Sequence, residues 1–230
     1  MKRIFVVGWC LAAVGVGPAA GAAELAGRVE VVVKGRSAPG EASQAVVWFE
    51  PDRAAAPAVP ARPLEMVTRK KEFTPRVLVA PRGATVAFPN RDPILHNVFS
   101  VSEARPFDLG LFAAGEAGRV RFDNGGVVRV FCNVHHDMVG YLLVLETPFH
   151  AAPDAAGGFR LAGLPPGPGT LTVWHEQAEP WSRRLTIPAS GAPGAPVEVR
   201  IELTKPRVPP HLDKFGRSYR ERRRDRYRPD

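Results

Sequence analysis

The sequence predicts an all-β protein, on two observations. From Leu64 onward, short runs rich in β-formers alternate with turn clusters, and no stretch carries the apolar spacing of an amphipathic helix. The runs are Leu64 to Thr68, Arg76 to Ala80, Thr85 to Phe88, Asn97 to Val101, Gly118 to Phe122, Val127 to Phe131 and Tyr141 to Glu146. Between them lie Pro81-Arg82-Gly83, Pro89-Asn90-Arg91-Asp92-Pro93 and Asp123-Asn124-Gly125-Gly126, which supply the backbone conformations and side-chain acceptors that tight turns need. So many short runs within residues 64–146 suit a Greek-key sandwich, whose loops gather at its two ends.

Residues 1–23 read as an export signal that is removed. Met1-Lys2-Arg3 gives a charged start, Ile4 to Val16 an apolar centre, and Pro18 to Ala23 a small-residue exit, with Ala22 or Ala23 the last residue lost. The apolar stretch is too short and too interrupted by glycine to be a retained membrane span, and Trp9 before Cys10 does not suit lipid attachment. The mature chain is therefore expected in the periplasm or otherwise outside the cytoplasm. Of the formal net charge of +8, two charges sit on Lys2 and Arg3, and residues 205–230 hold ten Lys/Arg against four Asp/Glu. The body between is near neutral, so the basic character belongs to the tail and implies no basic face.

Once Cys10 leaves with the signal, Cys132 is the single thiol, and in an oxidising compartment a lone thiol is intermolecular, reactive or metal-bound. Its surroundings favour a metal: Phe131-Cys132-Asn133-Val134-His135-His136-Asp137-Met138 offers a thiolate, imidazoles and a thioether within one short loop. That soft set suits copper, for which His₂Cys with a weak axial Met is a known arrangement. Structural zinc sites prefer several thiolates and take no Met. The second imidazole must come from elsewhere, and His96, at the end of the Asn90 to Leu95 turn region, is the natural candidate.

The same residues resemble the cupredoxins, in particular the plastocyanin-like exported proteins often labelled methylamine utilisation proteins. The resemblance covers Leu64 to Glu146 and rests on Phe73-Thr74-Pro75-Arg76-Val77-Leu78-Val79, Val86-Ala87-Phe88-Pro89-Asn90, His96-Asn97-Val98-Phe99, Pro106-Phe107-Asp108-Leu109-Gly110 and Phe131-Cys132-Asn133-Val134-His135. It implies a single copper ion held by His96, Cys132, His135 and Met138, with Asn97 bracing the ligand loops. Where such relatives usually carry proline after the second ligand histidine, this chain has His136. The Cys-x-x-His spacing favours His135, and neighbours on extended backbone point in different directions.

Beyond the metal region, Gly157-Gly158-Phe159-Arg160-Leu161, Gly163-Leu164-Pro165-Pro166-Gly167 and Thr170-Leu171-Thr172-Val173-Trp174-His175 resemble a carboxypeptidase-regulatory or transthyretin-like sandwich. Gly27 to Lys34 and Ser43 to Glu50 look like its opening strands. The expected organisation is thus residues 24–52 and 147–204 as one sandwich, an Ala/Pro-rich linker at 53–63, and the copper domain at 64–146 inserted between its strands. The competing arrangement adds Gly27 to Glu50 to the copper sandwich. Residues 205–230 carry few apolar side chains, so they are expected to be disordered or to act as a docking strap. Their charge suits an anionic membrane or an acidic protein; nucleic acid is not expected for an exported chain.

Function follows from what the motifs exclude as well as what they offer. His150, His175 and His211 form no His-x-His pair, and one thiolate does not make a bridged binuclear centre, so the site is expected to be mononuclear. A Cys-His nucleophile is disfavoured because Cys132 ends a strand instead of opening a helix, and no serine elbow, phosphate loop or paired-acid motif is present. The chain is therefore expected to be an electron carrier and not an enzyme, passing electrons to a redox partner protein such as a c-type cytochrome. The alternatives are a copper-binding or copper-delivery protein and a non-redox scaffold or adhesion module.

Overall fold

The computed structural model describes residues 23–53, 55–190 and 194–219. The predicted signal lies outside these except for Ala23, which is buried and opens the first strand. Strands β1 (Ala23–Val33), β2 (Arg36–Ser37) and β3 (Val46–Pro51) come first. Ten follow: β4 (Leu64–Glu65), β5 (Val67–Arg69), β6 (Glu72–Thr74), β7 (Val77–Pro81), β8 (Thr85–Pro89), β9 (His96–Ser100), β10 (Phe107–Phe112), β11 (Ala117–Arg121), β12 (Gly126–Cys132) and β13 (Val139–Leu145). The last are β14 (His150–Ala151), β15 (Gly158–Leu164), β16 (Gly167–Trp174), β17 (Trp181–Ile187) and β18 (Val197–Glu202). The chain is all-β.

Strand pairing divides these elements into two sandwiches. β1 lies between β15 and β18, with β2 at its end, and this sheet faces the order β14-β3-β16-β17. Alternation builds the first core: along β18, Val197, Val199 and Ile201 turn inward while Glu198, Arg200 and Glu202 stay exposed. They meet Val29, Val31, Phe49, Leu171 and Val173. The chain leaves this sandwich after Pro51 and rejoins it at β14, antiparallel to β3 with His150 opposite Trp48. Among the described residues, β1 and β3 pair with no strand between β4 and β13.

The second sandwich sets the five-stranded order β10-β9-β12-β13-β7 against β11-β8-β4, with the β5-β6 hairpin beside them. Its core includes Met66, Phe88, Val98, Phe122, Val130 and Leu142. β13 is buried at all seven positions, and its run Val-Gly-Tyr-Leu-Leu-Val-Leu explains why. Leu142 and Val144 enter this core, while Tyr141, Leu143 and Leu145 pack outward against Val46 and Trp174 of the first sandwich. A strand covered on both faces reads as continuous apolar sequence. Each aliphatic side chain buried there contributes about 1.5–3 kcal/mol, enough to hold that sheet face against its neighbour. At the rim, Arg76 Nε stands 2.7 Å from Glu176 Oε2, whose side chain is 1% exposed.

Three details depart from the sequence reading. The run Leu64 to Thr68 is split, because β4 pairs with β8 and β5 turns to pair with β6. β10 is absent from the predicted runs: its register on β9 shifts between Asp108 and Leu111, and Gly110 sits at φ 73°, so its alternation is broken. Of the two expectations for the tail, the docking strap fits residues 205–219 and disorder does not: Lys205 bonds to Gln177 and Glu179 of the first sandwich, and the residues that follow lie against the second. Val208 joins the layer between the sandwiches, His211 stacks on Phe131, and Asp213, itself buried, accepts the N–H groups of Phe215 and Arg217. A few well-placed contacts offset the ordering entropy that composition alone suggested would win. Residues 220–230 lie outside the described residues.

His175 is fully buried and its pKa is lowered by burial, with the carboxylate of Glu41 opposing weakly. Its Nδ1 accepts the N–H of Gln177, consistent with a neutral ring. A folded-state pKa below the ordinary 6.5 means that the unfolded chain binds the extra proton first, so stability is lost as pH falls below that value. Urea midpoints measured between pH 7 and pH 5 are expected to decline, and to decline less in His175→Gln.

Candidate metal centre

β9 and β12 are antiparallel neighbours with Cys132 opposite Val98 and Phe131 opposite Phe99. Period-two alternation then puts His96, Val98, Val130 and Cys132 on the inner face, while Phe99 and Phe131 look outward. His96 and Cys132 are diagonal neighbours on one face, which is how residues 36 positions apart meet. A one-residue slip of either strand would turn its own member of the pair outward.

The chain after Cys132 closes a tight loop. The Cys132 N–H donates to the Met138 carbonyl at 3.2 Å and the Met138 N–H to that of His135 at 3.1 Å. This fold-back carries His135 to the thiol: Cys132 Sγ lies 3.5 Å from His96 Nδ1 and 3.7 Å from His135 Nδ1, and one donor atom from each of the three residues falls within 4.8 Å of the others. Cys132 and His96 are 0% exposed and His135 is partly buried. With metal–nitrogen bonds near 2.0 Å and metal–sulfur near 2.3 Å, a sulfur and a nitrogen on one ion stand about 3.5–3.7 Å apart. The observed separations fit a single first-row ion, and the donor set of one thiolate and two imidazoles suits copper. It is the one such group of three or more His, Cys, Asp or Glu among the described residues.

Each ring is held from behind. His96 Nε2 lies 2.9 Å from Asp92 Oδ2, so the other nitrogen is left to face the sulfur. Asp92 is itself fixed by the N–H groups of Lys70 and Lys71, the two turn residues joining β5 to β6. Both have positive φ, 55° and 60°, as a two-residue hairpin turn requires, and the carboxylate caps the donors that this turn exposes. Burial pushes the Asp92 pKa up, but the N–H bonds of Lys71 and Lys70 and the His96 ring outweigh it and hold the carboxyl below its usual range. Asn90 completes the loop, accepting the Asp92 N–H and donating to the carbonyls of Ile94 and Phe112. The His135 pKa is lowered, first by burial and then by His96 and Lys71, which keeps this ring a neutral donor.

The remaining predicted residues separate clearly. Met138 is buried in the same core as Cys132. His136 is exposed and paired with Asp137 at 3.0 Å, away from the three converging atoms. Asn97 links the two ligand loops through its backbone, its carbonyl accepting the Asn133 N–H at 3.2 Å, while its side chain donates to Asp108 and to the Gly110 carbonyl. Asp92 and the Lys70-Lys71 turn were not among the residues singled out from sequence. The signal available was the Asn-x-Asp pair inside a turn cluster, a pattern that sets side-chain acceptors on backbone donors.

No protein-family profile matches the chain, and no curated protein matches it. Among solved structures, the chain is similar to a copper-containing nitrite reductase (NirK) from Thermus scotoductus SA-01, with 28% identity over 43% of this chain and a TM-score of 0.37. It spans 26% of that chain, about a quarter of its length. A purple cupredoxin from Nitrosopumilus maritimus is 22% identical over 36% of this chain and 99% of its own, with a TM-score of 0.33. A reduced amicyanin variant is 22% identical over 41% of this chain and 100% of its own, with a TM-score of 0.35.

Proposed function

We propose that residues 64–146 form a cupredoxin-like unit that holds one copper ion and carries single electrons between partner proteins. The observation that supports this most is the convergence of Cys132 Sγ with one ring nitrogen each of His96 and His135 within 4.8 Å. In this reading those three atoms are the strong ligands and Met138 the weak axial one. Copper supplies a one-electron Cu(I)/Cu(II) couple when bound.

The chain's own residues do the rest. Asp92 fixes the His96 ring, the loop hydrogen bonds fix His135, and the sheet fixes Cys132, so the donors need not rearrange when the charge at their centre changes by one. The apolar shell of Val98, Val130 and Met138 keeps water from the sulfur. His135, the least buried of the three, is the route by which one electron enters from a reduced partner and leaves to an oxidised one. We also propose, from the pattern of residues 1–23, that this happens in the periplasm or otherwise outside the cytoplasm, with a c-type cytochrome as one suitable partner. In the same reading, 24–52 and 147–204 form the supporting sandwich into which the copper unit is inserted.

Copper titration of the purified protein tests the reading. The expected result is saturation at one equivalent, an intense visible thiolate-to-Cu(II) band and reversible reduction. Preference for Cu(I) with ready exchange and no such band would favour a copper-delivery protein, and no saturable binding would favour a scaffold.

A further inference from the structure

The strap at 205–219 has no part in the ligand set, yet it runs along the segment that carries Cys132. His211 stacks on Phe131 with ring centroids 4.0 Å apart and planes 15° from parallel. The Lys214 N–H donates to Asn133 Oδ1 at 3.2 Å, and the Tyr219 hydroxyl donates to the Cys132 carbonyl at 3.5 Å. The Lys214 ammonium lies 2.7 Å from Asp108 Oδ2, and the other oxygen of that carboxylate accepts the side-chain N–H of Asn97. Lys214 therefore connects the residue after Cys132 with the acid that holds the residue after His96.

We propose that the strap is a clamp on the metal loops and that Lys214 is its positioning residue, tying the two ligand-bearing segments together while placing a cation beside them. This rests on the copper reading for its effect on potential. The geometry gives it two consequences. The Lys214 side chain is only 20% exposed and neutralises Asp108, so removing its ammonium leaves an uncompensated carboxylate against the ligand-bearing segments, which favours the more highly charged Cu(II). The bridge also resists separation of the two loops, and a buried Cys132 becomes reachable only when they open.

The test uses the full chain and its Lys214→Met, Lys214→Arg and Lys205→Met variants. Lys205 belongs to the same strap but pairs with Glu179, so it controls for a general loss of charge. Two readouts are taken: the midpoint potential of the copper-loaded protein, and the rate of iodoacetamide modification in metal-free protein, followed on the peptide containing Cys132. Lys214→Met is expected to lower the potential, changing the ratio of Cu(I) to Cu(II) affinity by about threefold, and to speed modification by about tenfold. Lys214→Arg is expected to restore much of both, and Lys205→Met to change neither. Wild-type potential and modification rate in Lys214→Met would overturn the clamp, as would equal effects from Lys205→Met. If copper gives no thiolate band in any variant, the copper reading fails while the modification rates still decide whether the clamp exists.

Discussion

Replacing Cys132 with serine is expected to abolish the visible thiolate-to-Cu(II) band and to weaken copper binding by more than the about 10–100-fold that loss of an outer partner costs. Serine keeps the size of the side chain but replaces a soft sulfur anion, charged when metal-bound, with a hard neutral hydroxyl. His96 and His135 remain, so residual binding by two imidazoles is expected, with the spectrum of a hard-ligand Cu(II) site. The hydroxyl stands beside the His96 and His135 ring nitrogens within a core that includes Val98, Val130 and Met138, and costs about 1–3 kcal/mol where it bonds neither ring. Cys132→Ala separates the two effects, because it removes the ligand without burying a hydroxyl. Chelator competition and absorbance read the site, and urea unfolding of the metal-free proteins reads the fold. Full affinity and an unchanged spectrum in Cys132→Ser would remove the sulfur from the site.

Asp92→Ala is the second large effect. The substitution strips the His96 ring of the contact at Nε2 and leaves the Lys70 and Lys71 N–H groups without the carboxylate that accepts them. Copper affinity is expected to fall by about 10–100-fold as the ring loses its fixed orientation, and the metal-free protein to lose about 1–3 kcal/mol from the unsatisfied turn donors. Asp92→Asn keeps one side-chain oxygen and so retains part of the turn, but its amide nitrogen can face His96 only as a donor. An ordering of wild type, then Asn, then Ala in both affinity and urea midpoint is expected. An alanine variant with wild-type copper affinity would show that His96 is held by its strand alone.

The contrast between these two residues shows what the chain discloses on reading and what it withholds. The grouping of Cys132 with His135 was legible because both donors lie in one loop, and that of His96 because the donor set needed one more imidazole. The choice of His135 over His136 rested on the Cys-x-x-His spacing and on the divergence of neighbouring side chains, and the structure puts His136 on the surface with Asp137. Asp92 was not legible as the support of His96, because its role depends on two turn amides more than twenty residues upstream. Where the strap docks was hidden for a related reason: His211 and Lys214 acquire partners only when β12 turns Phe131 outward and β10 presents Asp108. Local spacing reports donors; long-range pairing decides what holds them.

The pairing of β1 with β15 and β18 sets a timetable for the nascent chain. Val29 pairs with Val199, so this strand stays without its β18 neighbour until some 170 further residues have emerged, which at about 5–20 residues per second is roughly ten to thirty seconds. Every pairing within β4 to β13, by comparison, is complete once Leu145 has been made. The sandwich that carries Cys132 can therefore form first, leaving an apolar amino-terminal ribbon exposed and in need of shelter until the carboxy-terminal strands arrive.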